Sequence, residues 1–77
     1  MSHPSGSIFS RQLTSDDGRI LRYLIVPHGA RGWEVREEQD DRIVRRVRYT
    51  DWHRVERART VFDLRVSSLR GSGWIES

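Results

Sequence analysis

The sequence has no cysteine, no lysine and only two prolines, and no stretch approaches the roughly 18 apolar residues of a membrane-spanning helix. Without cysteine, neither a disulfide nor a thiolate metal site can staple the chain. At 77 residues it makes one domain, and a chain of that size buries only about 60% of its unfolded surface. One small core therefore carries the fold, and self-association is the remaining route to extra stability. The opening MSHPSGS has neither a basic n-region nor an apolar h-region, so no signal peptide is expected and a cytoplasmic protein is the reading. Residues 1–7 are expected to form a flexible tail, 8–70 a single α+β domain, and 71–77 a C-terminal tail.

All fourteen basic residues are arginine, and the net charge is +3. Guanidinium forks suit phosphates and carboxylates. An arginine-biased composition is the plainer explanation. The excess is uneven: residues 1–38 hold five arginines and five acids, residues 39–77 nine arginines and six acids. Its densest part is RIVRRVRYTDWHRVERAR, residues 42–59, with seven arginines in eighteen positions.

Three reversals divide the first fifty residues into four strand-like segments. Ser15 to Arg19 fits a three-residue hairpin loop closed by Gly18 in the left-handed region, Pro27 to Gly32 is a second reversal, and Gln39-Asp40-Asp41 a third. Folding the chain back at each predicts the pairs Leu13 with Leu21, Ile25 with Val35, and Trp33 with Val47. Alternation then gathers Phe9, Leu13, Leu21, Tyr23, Ile25, Trp33, Val35, Ile43, Val47 and Tyr49 on one face. After Tyr49 the period changes. Thr50 is the expected N-cap, and Trp52, Val55, Ala58, Phe62, Val66 and Leu69 recur at three- and four-residue steps until Gly71 and Gly73. The expected fold is α+β: a four-stranded antiparallel meander with one C-terminal helix packed on one face.

The same registers assign partners to many charges. Glu34 is expected opposite Arg46, and Glu38 opposite Arg42 and Arg22; on the helix, Arg59 should meet Asp63 and Glu56, and Asp51 should meet Arg54. Arg36, Arg48, Arg57 and Arg65 are left over, and they are the candidates for contacting nucleic-acid phosphates, on at least two faces. A second candidate surface is apolar. Ile8, Leu24, Val26 and Val44 fall side by side on the outer sheet face, with Val61 and Leu64 on the outer helix face, a cluster that suits self-association.

Catalysis is not expected. His3, His28 and His53 stand at no metal-ligand spacing, and the Asp16-Asp17 and Asp40-Asp41 pairs are explained by turn chemistry. The loop Gly29-Ala30-Arg31-Gly32 joins two strands rather than opening a helix, so it lacks the context of a phosphate cradle. No cofactor is implied.

The stretches YLIVPHGARGWEVREE and TDWHRVERARTVF resemble small bacterial domains of uncharacterised role, in which a strand ending in Val-Pro is followed by a short loop, Gly-Trp-x-Val, and a Thr that opens an Ala-containing helix. The matching positions are Val26, Pro27, Gly32, Trp33, Val35, Thr50 and Ala58, about half the chain. The resemblance implies strands and a helix and no catalytic role. The expectation is thus a non-catalytic binding module, a homodimer or the holder of a protein partner, with weak DNA or RNA binding as the alternative and no membrane contact.

Overall fold

The computed structural model describes residues 7–30 and 32–77. Residues 1–6, most of the expected tail and with it His3, lie outside the described residues, as does Arg31 in the second reversal. The chain forms β1 (Phe9–Thr14), β2 (Ile20–His28), β3 (Gly32–Gln39), β4 (Arg42–Tyr49), α1 (Trp52–Gly71) and β5 (Ile75–Glu76). The α+β architecture matches the expectation, with one addition. The sheet has five antiparallel strands in the order β4-β3-β2-β1-β5, because the chain end returns beside β1.

The first two hairpins take the expected registers, Leu13 opposite Leu21 and Ile25 opposite Val35. Gly18 sits at φ 85° and donates to the Ser15 carbonyl at 3.0 Å, closing the first loop. Gly32 is required for a different reason: a Cβ there would lie 3.0 Å from the His28 carbonyl oxygen and 3.2 Å from that of Tyr49.

The third hairpin departs from the expectation. Trp33 pairs with Tyr49, not Val47, and a bulge between Glu37 and Glu38 brings Ile43 opposite Glu38. The turn is only Asp40-Asp41, at φ 51° and 67°, the left-handed pair of a tight hairpin. Asp tolerates this region. Here Asp40 is also tied down, since its carboxylate accepts from the Ile20 amide at 2.9 Å and its own amide donates to the Ile20 carbonyl at 2.8 Å.

Phe9, Leu13, Tyr23, Ile25 and Val35 from the sheet close on Val55, Phe62 and Val66 from the helix. Phe62 is the hub, with ring centroids 4.8 Å from Tyr23 and 5.9 Å from Phe9. Burying a side chain of this kind contributes about 1.5–3 kcal/mol. Ile43, expected in this core, is exposed, because the bulge breaks the alternation before it reaches that residue.

Asp51, not Thr50, caps the helix: its backbone is extended, and its carboxylate accepts from the His53 amide at 2.9 Å. At the other end Gly73 donates to the Arg70 carbonyl and Trp74 to that of Leu69, the paired bonds of a Schellman stop. Trp74 then packs against the core, and Arg11 grips Glu76 with two bonds of 2.6 and 2.7 Å while reaching Asp63 at 3.0 Å. Arg11 thus joins β1, β5 and α1, and takes the Asp63 carboxylate expected for Arg59. The hydrogen bonds from Arg11 hold the Glu76 carboxyl below its ordinary range.

Candidate functional site

The two sides of the sheet carry charge in different ways. On the side away from the helix, a chain of contacts crosses four strands. Arg48 reaches Glu34 at 3.3 Å, Arg36 reaches Glu34 at 2.6 Å and Glu38 at 3.4 Å, and Arg22 joins Glu38 at 2.8 Å and Gln12 at 2.9 Å. Arg36 and Arg48 therefore have carboxylate partners, contrary to the expectation. For Arg48 the reason is the third register, which places it rather than Arg46 opposite Glu34; Arg36 instead pairs along its own strand, with the carboxylates two residues before and after it. Glu34 is only 3% exposed. Burial by itself pushes its carboxyl pKa up, and the hydrogen bonds from Arg36 and Arg48 outweigh that and hold it below the ordinary value.

Leu24 belongs to this face and is 4% exposed, so the expected apolar patch does not exist in the form foreseen. Its register partners are Ser10 and Arg36, and an arginine stem is itself apolar cover. Val26 is half-buried and Val44 lies exposed near the bulge. Ile8 precedes the first residue of β1 and lines a shallow groove with Trp52, Val55 and Arg59, on the helix side. Leu24 and Val26 thus stay neighbours on β2, one buried and one half-buried, while Ile8 and Val44 lie apart from them.

The helix side is sealed over β1 to β3 and open over β4. All buried sheet residues belong to the first three strands, whereas Val47 and Tyr49 are half-buried and the rest of β4 is exposed. Between α1 and β4 runs a groove of about 500 Å³. Val35, Val47 and Tyr49 form one wall of its apolar floor; Ala58, Val61 and Phe62 form the other. Arg45, Arg54, Arg57 and Arg65 stand around it with His53, against two carboxylates, Glu37 and Asp51.

Both carboxylates are engaged. Glu37 accepts from Arg65 at 2.8 Å and lies 4.0 Å from Arg45, while Asp51 caps the helix. Among the described residues no carboxylate comes within 4.0 Å of Arg54 or Arg57. Behind the floor, burial and the Glu37 charge push the Tyr23 phenol up. The rim can hold anions and the floor can take apolar side chains.

Of the four arginines singled out in the sequence, Arg57 and Arg65 come together in this groove, while Arg36 and Arg48 lie on the other face. Val61 lines the groove, and Leu64, 66% exposed, lies one helical step from it. Sequence reasoning missed Arg45, Arg54 and Tyr49 as members of one site. Part of the signal was available: Arg54, Arg57, Val61 and Arg65 recur at three- and four-residue steps, a second stripe beside the core stripe. What the sequence did not show is that β4 forms the facing wall.

Among the described residues no three His, Asp or Glu side chains stand close enough to hold a metal ion, and no helix is long and apolar enough to cross a membrane. Compared with known proteins, the chain matches no family profile, no curated sequence and no solved structure.

Proposed function

We propose that the chain is a non-catalytic binding module of the cytoplasm, that its working surface is the groove between α1 and β4, and that its partner is a polypeptide. The observation that carries this reading is the open apolar floor beside the edge strand of the sheet. Concave, mostly apolar surfaces with a few convergent charges are where binding energy concentrates. A non-catalytic role fits the groove's polar groups: arginines, one tyrosine, one histidine, and carboxylates already engaged by guanidinium or by a helix amide.

Selection from a random peptide display library on wild type and on Val61→Glu tests the reading. Peptides retained by wild type and lost on the variant are expected; peptides retained equally by both would sink it. The rim arginines favour a second reading, a nucleic-acid module using Arg57 and Arg65. Light scattering coupled to size exclusion, with and without a mixed-sequence duplex, separates the two. The polypeptide reading expects no comigration, whereas comigration at about 50 mM salt that fails at about 200 mM would favour nucleic acid. The same run reads self-association, since a salt-independent mass of two chains would make a second copy the partner.

A further inference from the structure

We infer that the groove takes an acidic, extended segment of another protein, added as a further strand along β4. This inference rests on the groove being the working surface and names what occupies it. β4 is the last strand of the sheet on that side, and among the described residues nothing pairs with its outer edge. An edge of this kind presents N–H and C=O groups that a partner strand can satisfy.

Charge selects the partner. β4 carries Arg42, Arg45, Arg46 and Arg48. In most antiparallel registers a second copy paired through the same strand would set arginine against arginine, and like charges directly opposite are destabilising. An acidic strand meets the same row with the opposite sign, so the charges that deter self-pairing favour this partner. Arg54 and Arg57, without carboxylates of their own, extend the complementary surface onto the helix.

Alternation then specifies the segment. Side chains of the added strand that point to the helix side meet the floor at Val47, Tyr49 and Val61, and those that point away run beside Arg46 and beside Arg48, which reaches Glu34 yet keeps about half its side chain exposed. Apolar residues suit the first set and carboxylates the second. An alternating apolar and acidic sequence fits both faces at once. Nucleic acid fits less well, because unstacked bases need aromatic platforms. Of the nearby rings, Trp33 and Trp52 pack against each other at a tilt of 56°, centroids 5.0 Å apart, and Tyr49 is half-buried.

The test uses four fluorescent probes on the whole chain: a peptide of alternating Val and Glu, its Val and Lys counterpart, the acidic peptide with a central proline, and an oligo-dT strand. Binding of the first alone is expected, weakened about tenfold by Arg57→Glu. It should be accompanied by slowed hydrogen exchange at β4 amides, which a side-chain-only contact would leave unchanged. Equal binding of the lysine peptide overturns the acidic assignment, and equal binding of the proline peptide overturns strand addition. Arg57-dependent binding of oligo-dT in place of the peptide overturns the polypeptide partner while leaving the groove as the working surface. Acidic-peptide binding unchanged by both Arg57→Glu and Val61→Glu overturns the groove itself, and failure of every probe overturns both.

Discussion

The two faces of the sheet solve burial by different means. On the helix side, aromatic and aliphatic side chains meet across an apolar interface centred on Phe62. On the bare side no element among the described residues lies over the strands, yet Leu24 and Glu34 are as inaccessible as core residues. There the cover is a lattice of long side chains, Arg22, Arg36, Arg48 and Glu38, held in place by ion pairs. A small domain with one helix can thus protect both faces, provided one face carries paired charges whose stems are apolar. The lattice also leaves those arginines occupied, whereas Arg54 and Arg57 beside the groove are not.

The largest effect should come from the helix side. Phe62→Ala should cost about 3–5 kcal/mol, because it removes the hub of two aromatic pairs and leaves a cavity. Leu24→Ala should cost about 2–3 kcal/mol, at the low end for a buried leucine because the bare face can relax. Urea unfolding measures both. A cost for Leu24→Ala within about 0.5 kcal/mol, as for an ordinary surface position, would mean that the lattice hides side chains without supporting them.

Glu34→Gln tests the lattice's charge and should cost about 1–2 kcal/mol at pH 7. The folded-state pKa of Glu34 lies below its ordinary value, as does that of Glu76. Their contribution is therefore present above the unfolded-state value of about 4.3 and is lost as pH falls through the lower folded-state value. Wild type should lose stability over that acid range, and Glu34→Gln should lose less. Equal acid sensitivity in the two proteins would remove Glu34 from the account.

Asp41→Gly changes the third turn and touches the bare face only through an exposed contact with Arg22. It should stabilise by about 0.5–1 kcal/mol, since glycine adopts the left-handed turn conformation without a Cβ penalty. A loss would show that the exposed contact from Arg22 to Asp41, at 3.8 Å, contributes more than the turn geometry costs. The smallest effect belongs to the open end of the helix side. Val61→Thr should change stability by no more than about 0.5 kcal/mol, although Val61 lies next in sequence to Phe62. A larger loss would mean that the groove floor is part of the core rather than a surface beside it.

Much of this was legible from short-range pattern. The Ser15 to Arg19 turn and the reversal after Pro27 set two registers correctly, because turn length and hydrophobic alternation agreed. At Asp40-Asp41 no Asn-Gly or Asp-Gly signal marked a two-residue turn, and the register came out two residues away from the observed one. Since a shift of two preserves the alternation, the core face survived the error as far as the bulge, beyond which Ile43 fell outside it. The charge partners did not: Arg48 appeared free and Arg46 appeared paired. Leu24 was read as exposed because the pattern reports which face a side chain is on, not what its neighbours cover. Thr50 and Asp51 are both competent caps, and the extended backbone at Asp51 with its bond from the His53 amide separates them.

By itself the sequence determined the four main strands, the helix, the aromatic core and the arginine excess, all of which follow from residue type and spacing along the chain. The fifth strand, the lattice over the bare face and the groove beside β4 were decided only by tertiary structure. Each depends on where a long side chain or a whole helix comes to rest across distant strands. The helix seats Val55, Phe62 and Val66 against the buried residues of β1 to β3, and of β4 it half-covers only Val47 and Tyr49.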